Sequence, residues 1–374
     1  MFKKPVIVGV IASVLIIAFL AVFILVIAPR VEPWLDDVIY SASGRTPQTA
    51  EGYGQDPRER TEYRDDLGFV QIRQTADELL REFDASSLLL ERSDILAGGP
   101  PKDGILALVD PARVPIQADI NPFPDDARMI IITLDGETVV YPVGILTRRE
   151  VVNDVVGETH VAVTYCPLCD SAMVFDRRIE VPASIDPSGR LVLEFGVSGL
   201  LAHSNVLLYD RTHDALWSQL EMRAVSGPLS GTDLRTLPFE MVTLAEARTR
   251  FPDAPMMMHE ERLSSMYIND LLYASFLESP DTMFPVPKRG RALPDKTLGV
   301  GVIDGDVTWF ITARSLRSQP HTIQTSRGEV RLTAGEAGIV IKAQPEGIRI
   351  AQTFYYAWSA FHPETTVIDD PDSP

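Results

Sequence analysis

The chain has 374 residues, 45% of them apolar, and a formal net charge of −18. That charge, with no basic stripe set against it, excludes a nucleic-acid backbone as partner. Two cysteines are too few for a disulfide scaffold.

Met1-Phe2-Lys3-Lys4 precedes an uncharged apolar run from Pro5 to Ala28. About 20 such residues cross a hydrocarbon core, and the run exceeds the roughly 7–15 residues of a cleavable signal core. The sequence therefore predicts a cytoplasmic N-terminus at residues 1–4 and a single transmembrane anchor at 5–28. The two lysines orient the rest into the periplasm or outside the cell. A cleaved signal peptide is the competing reading, since Val26-Ile27-Ala28 ends in a small residue. Either way the cysteines face an oxidising compartment. The membrane is the one partner this implies, and nothing points to a particular protein partner.

Residues 29–66 read as a polar tether, with a short helix over Val31 to Tyr40. The extracytoplasmic domain then spans 67–374. Ile72, Ala76, Leu79, Leu80 and Phe83 recur at helical spacing, and Gly98-Gly99-Pro100-Pro101 is a turn cluster. Met129 to Leu134, Asp135-Gly136 and Glu137 to Val143 form a two-residue hairpin signal. Strands are predicted at His160 to Tyr165, Ala172 to Phe175, Leu191 to Phe195, Val206 to Tyr209 and Ala215 to Ser218. Thr243 to Phe251 reads as a helix opened by a Thr243/Glu246 capping box and stopped by Pro252.

The last third repeats this plan in shortened form. Thr297 to Ile303, Asp304-Gly305 and Asp306 to Ile311 make a second D-G hairpin. Phe354 to Phe361 is helical and is stopped by His362-Pro363. The fold class expected is β-rich α+β: two related β units with a few helices, after one N-terminal transmembrane helix. The cysteine-containing half covers about 93–260 and the shortened half about 285–374. Against duplication stands the fact that D-G hairpins and helix-stopping prolines are common.

Both cysteines lie in Cys166-Pro167-Leu168-Cys169. If the loop curls, two thiolates at this spacing face one ion, and Pro167 stiffens the curl. The spacing matches half of a zinc or rubredoxin-like site. Zinc, iron or copper would need further ligands, for which Asp170, His203 and His362 are candidates. His160 and His213 are the other nearby histidines. Each histidine has a structural reading beside this one, and for His362 that reading is a helix C-terminal cap. A redox dithiol is the second reading. The strand-like Ala172-Met173-Val174-Phe175 departs from the helix that follows a thioredoxin-type motif. A structural disulfide in a non-enzymatic envelope binding module is the third.

Met256-Met257-Met258-His259 offers soft ligands for copper, or a core strand filled with methionine. Tyr165, Ser198, Asp210, Arg211, Trp217 and Gln219 are candidate pocket residues. Ser198 is no nucleophile elbow, because Leu200 replaces the second glycine of G-x-S-x-G. The glycines around it suggest a loop. The function these signals support is a membrane-anchored extracytoplasmic protein with a C-x-x-C metal-binding or electron-handling site. They do not decide whether it is an enzyme.

Several ordered motifs run from Ser93 to Thr232. They include Gly98 to Ile105, Tyr141-Pro142-Val143-Gly144, Val151-Val152-Asn153-Asp154, Val163 to Ala172, Phe195 to Leu200, Tyr209-Asp210-Arg211-Thr212 and Leu216-Trp217-Ser218-Gln219. In these the chain resembles the bacterial and archaeal family called domain of unknown function 3179, and Ala357 to Thr365 resembles the family's ending. The resemblance brings no activity with it. It also implies three departures. Arg149-Glu150 stands where His-Glu is common, Asp170 where Gly or Asn is common, and Met222-Arg223-Ala224 where Gly-Glu-Ala is common.

Overall fold

The computed structural model describes residues 74–118, 122–258 and 273–369. All belong to the unit Tyr53–Pro374. The expected anchor over 5–28, the tether over 29–66 and the helix near Val31 lie outside the described residues, as do Ile72 and His259. Among the described residues no helix is long and apolar enough to cross a membrane.

The fold is β-rich α+β, with short helices among several sheets. Helix α1 (Ala76–Leu80) starts at Thr75, whose side chain and that of Glu78 form a reciprocal capping box. Short strands β1 (Ile95–Ala97), β2 (Leu108–Val109) and β3 (Arg113–Pro115) follow. A first unit then runs through β4 (Arg128–Leu134), β5 (Glu137–Pro142), helix α2 (Val143–Arg149), β6 (Val151–Val156), β7 (Thr159–Cys166) and β8 (Ser171–Asp176). Six strands come next: β9 (Arg178–Glu180), β10 (Arg190–Val192), β11 (Phe195–Ala202), β12 (Asn205–Asp210), β13 (Leu216–Ser218) and β14 (Arg223–Ala224). The first unit closes with β15 (Glu240–Thr243), α3 (Leu244–Arg250) and β16 (Pro255–Met257).

After helix α4 (Ala274–Glu278) a second unit repeats the order. It comprises β17 (Leu298–Asp304), β18 (Val307–Thr312), α5 (Ala313–Ser318), β19 (His321–Thr325), β20 (Gly328–Ala334), β21 (Ile339–Ala343), β22 (Arg349–Phe354), α6 (Tyr355–Phe361) and β23 (Thr366–Ile368). Both D-G hairpins form where the sequence places them, β4 with β5 and β17 with β18. Asp135 and Gly136 take φ of 52° and 83°, the pair of positive values a two-residue type I′ turn requires.

The two large sheets show how the units interlock. One has the order β19-β20-β21-β15-β4-β5-β16-β3, the other β2-β6-β7-β8-β22-β17-β18-β23. Each therefore joins the three-stranded meander of one unit to the hairpin and return strands of the other. The joints correspond, β15 pairing antiparallel with β21 and β8 with β22. The closing strands also correspond, β16 running parallel to β5 and β23 parallel to β18.

Side chains from both sheets, such as Ile130, Val140, Val163, Val302 and Ile350, share one core. Strand β7 alternates between this core and a second one. Val161, Val163 and Tyr165 point into the first, Ala162 and Cys166 into the second, as the period-2 pleat demands. The second core lies against the inserted five-stranded sheet β1-β11-β12-β13-β14 and helix α6. Burial on both faces removes the apolar–polar alternation from β7 and β8.

Three expectations change. The Gly196 to Gly199 stretch is strand β11 with a bulge between Val197 and Leu201, not a loop. The strand expected over Leu191 to Phe195 breaks after Val192, so that β10 pairs with β9 while β11 joins another sheet. Thr243 caps α3 by accepting from the Glu246 amide, without the reciprocal half of a box. Met256 and Met257 are fully buried in β16, as a methionine-filled core strand would have them.

Candidate functional site: a buried thiol pair beside a carboxyl

Cys166 ends β7 and pairs with Ser171, the first residue of β8. The connection curls into a turn, with the Cys169 amide donating to the Cys166 carbonyl at 3.2 Å. Pro167 holds the second turn position, where its fixed φ is favourable. Asp170 takes φ 44° to bring the chain back into β8. Both cysteines are free and buried, at 1% and 0% exposure.

The two thiols lie near each other without a bond between them, and the Val206 backbone stands close to Cys166. Cys169 Sγ donates to the Ser204 carbonyl at 3.1 Å. The second unit clamps the loop from the other side. Phe354 N donates to the Cys169 carbonyl at 2.8 Å, and Tyr356 Oη donates to the Leu168 carbonyl at 2.5 Å and lies 3.6 Å from Cys169 Sγ. The meander exchange puts β22 and α6 within reach of the β7–β8 turn, so both units build this site. Burial pushes the Cys166 thiol and the Tyr356 phenol well above their ordinary pKa, and the neighbouring sulfurs add to it.

Glu150 is the acid of the site. It caps the C-terminus of α2 at φ 57°, donates its amide to Leu146 and accepts from the Tyr165 amide at 2.8 Å. Its carboxyl is desolvated and feels the charge of a Cys166 thiolate, which together hold its pKa well above the carboxylate range. Among the described residues it is the only acidic or basic side chain lining a narrow cleft whose walls include Pro100, Ile105, Leu168, Val206, Tyr273 and Phe284.

Backbone strain gathers around the sulfurs. Glu150, Asp170, His203 and Ser204 all have positive φ without being glycine. His203 and Ser204, at 48° and 68°, form the two-residue turn between β11 and β12, a geometry that favours Asn-Gly. Such residues cost on the order of 1–3 kcal/mol each. This turn is what aims the Ser204 carbonyl at Cys169.

The other residues named from the sequence fall into two groups. Gln219 supports the loop: Oε1 accepts from Ser171 Oγ at 2.7 Å and Asn205 Nδ2 at 2.8 Å, while Nε2 donates to Thr164 Oγ1 at 2.9 Å. Tyr165 points to the opposite face of β7 from Cys166. Its hydroxyl donates to Asp170 Oδ1 at 2.8 Å, and Arg128 Nη1 meets the same oxygen at 2.8 Å. The Asp170 carboxylate is thus committed to Arg128 and Tyr165.

His203 lies 3.9 Å from Asp94 and packs edge-on against Phe361. Ser198 Oγ donates to the Leu207 carbonyl and accepts from Leu200 N, pinning the β11 bulge. Asp210 accepts from Trp217 Nε1 at 2.9 Å and from His213 N at 2.7 Å. Arg211 pairs with Asp103 and Glu194, and these groups stand at the far end of β12 from the Ser204 turn. His160 pairs with Val155 at the far end of β7. Among the described residues no group of three or more His, Cys, Asp or Glu is placed to hold a metal ion.

His362 caps α6 and stacks on Trp358 with ring centroids 4.2 Å apart. Burial pushes its pKa down to about 4. A histidine depressed in the folded state contributes stability that is full above its ordinary value near 6.5 and is lost as pH falls toward 4. The loss amounts to up to about 3 kcal/mol. His362→Phe is expected to flatten that acid limb in urea titrations at pH 7 and 4.5, whereas an unchanged slope would place the titration elsewhere.

No motif in the sequence around Arg149-Glu150 marks Glu150 as a site residue. The signal was present in the Gly157-Glu158 turn. Counting back from it pairs Val151 with Thr164, which brings residue 150 level with the end of β7.

Fold and site together define a β-rich α+β protein that holds a C-x-x-C hairpin loop between two interlocked units. The family model described as "Protein of unknown function (DUF3179)" matches residues 102–347, and the chain belongs to that family. No curated protein and no solved structure matches the chain.

Proposed function

We propose that Cys166 and Cys169 are a dithiol–disulfide redox pair, carried by a membrane-anchored protein whose cysteine domain works outside the cytoplasm. The observation that carries this reading is two free, buried cysteines at the two ends of one tight turn, near each other but not bonded, with Glu150 close to Cys166.

The raised thiol pKa makes the resting pair unreactive. Glu150 offsets this only in its ionised form, in which a carboxyl whose pKa is raised is a stronger base toward a thiol proton than an ordinary carboxylate. With a partner disulfide, the Cys166 thiolate attacks one sulfur and the first partner thiolate leaves. Cys169 then attacks Cys166 Sγ and releases the second partner thiolate. Two electrons and two protons pass to the partner, and one disulfide replaces another.

A thiolate metal site is the competing reading. The donors nominated to complete it are engaged elsewhere: Asp170 with Arg128, His203 near Asp94, and His362 against Trp358. We also read the two β units as products of an internal duplication, supported by the repeated strand order and the corresponding joints.

The test equilibrates the full-length chain anaerobically in graded dithiothreitol buffers and counts alkylatable thiols by mass after a denaturing quench. Both thiols should disappear together in one two-electron transition, and Cys166→Ser should abolish it. Thiols that never exchange while the protein is folded, or stoichiometric metal in the reduced protein, would overturn the reading.

A further inference from the structure

The two sulfurs of the pair have different neighbours. Glu150 stands close to Cys166. Cys169 Sγ meets the Ser204 carbonyl at 3.1 Å and the Tyr356 hydroxyl at 3.6 Å. A carbonyl can only accept, so it holds the thiol and opposes the thiolate. The hydroxyl is a donor. At rest it donates to the Leu168 carbonyl at 2.5 Å, and turning its O–H toward the sulfur moves no heavy atom.

The second unit holds that hydroxyl in place. Thr353 Oγ1 and Phe354 N donate to the Cys169 carbonyl at 3.3 and 2.8 Å, which ties the end of β22 to the cysteine itself. Tyr356 follows two residues later, fully buried in the first turn of α6. Burial keeps the proton on its phenol, so it remains a donor where thiolates form. Charge decides between its two acceptors. A hydrogen bond to an anion is roughly twice as strong as one between neutral groups. A thiolate at Cys169 therefore draws the O–H away from the Leu168 carbonyl.

Resting on the dithiol reading, we propose that Tyr356 is the hydrogen-bond donor to the Cys169 thiolate, and that it makes Cys169 the sulfur that leaves when the disulfide opens. A thiolate of a dithiol reductant attacks Cys166 Sγ. The bond between Cys166 and Cys169 breaks, and its electron pair departs on Cys169, where the Tyr356 O–H meets it. A stabilised thiolate leaves faster. The reductant's second thiolate then clears the mixed disulfide, leaving two reduced cysteines and one oxidised reductant. The two protons lost by the reductant reach the cysteines through solvent, and the Tyr356 O–H returns to the Leu168 carbonyl.

The test opens the oxidised full-length chain with reduced dithiothreitol, without oxygen. Tyr356→Phe keeps the ring and removes the hydroxyl, and should slow opening by about threefold or more. Replacing Tyr356 by 3-fluorotyrosine makes the phenol a stronger donor and should speed opening. Two single-cysteine chains separate a donor from a clamp on the turn. In Cys166→Ser, adding Tyr356→Phe should slow the reaction of Cys169 with dithiodipyridine. In Cys169→Ser, Cys166 should react at the same rate with or without the hydroxyl, which also reports that the variant is folded. Unchanged or faster opening in Tyr356→Phe, or equal acceleration of both single cysteines, overturns the donor role and leaves the dithiol reading standing. A wild-type pair that dithiothreitol cannot open and disulfide reagents cannot close sinks that reading as well.

Discussion

Gly199→Ala is expected to lower the unfolding free energy by about 3–5 kcal/mol, from the combined cost of a left-handed alanine and an overpacked contact. Gly199 sits at φ 78° in the β11 bulge, and a Cβ there would lie 2.1 Å from the Pro100 carbonyl oxygen. The neighbour cannot retreat. Pro100 and Pro101 have φ locked by their rings, and Gly98 N bonds to the Gly199 carbonyl at 2.7 Å across the same crossing. Urea denaturation of the variant reads the effect directly, and a loss below about 1 kcal/mol would contradict the account. Gly98, Pro100 and Gly199 also line the cleft, so whatever folded variant remains should show a changed cleft.

Glu150→Gln should make the protein more stable at neutral pH, although it removes a charged residue. The folded-state pKa of Glu150 is raised by burial and by Cys166. Its contribution is therefore fully present below the ordinary carboxylate value and is lost as pH climbs through the folded one. Within that window the wild type loses about 1.4 kcal/mol per pH unit relative to the neutral amide. Denaturation midpoints for both proteins, followed from pH 4 to 8, should diverge as pH rises. Parallel curves would mean that Glu150 is not held protonated.

The hairpins were legible because their information is local: a D-G pair between apolar runs fixes turn, register and faces within about a dozen residues. The β-rich class and the position of the cysteine turn followed from the same kind of signal. The exchange of meanders was not legible, since nothing near β8 or β15 names a partner in the other unit. Strands β7 and β8, buried on both faces, carried no alternation to show which side faced which core.

At the site, two departures from the family pattern acquire a physical meaning. Asp170 and Met222 stand where the resemblance implies Gly or Asn and Gly, and both have positive φ, 44° and 56°. Asp tolerates this region through its short polar side chain. Met does so only because the surrounding turn holds it. The strained cap at Glu150 was invisible for the same reason. Its conformation is imposed by the α2–β6 junction and not by its own preference.

The interlocked sheets also govern how the molecule comes into being. Neither sheet closes until β15 has met β21 and β8 has met β22, contacts separated by about 100 and about 180 residues of chain. A nascent chain therefore carries β8 and β15 as open edges until its final strands emerge, and such edges invite pairing with other chains. Folding should be slow and late, with no stable half on the way, and the sulfurs of Cys166 and Cys169 stay open to solvent throughout that interval. The helix and strand that seal them, α6 and β22, are among the last elements made.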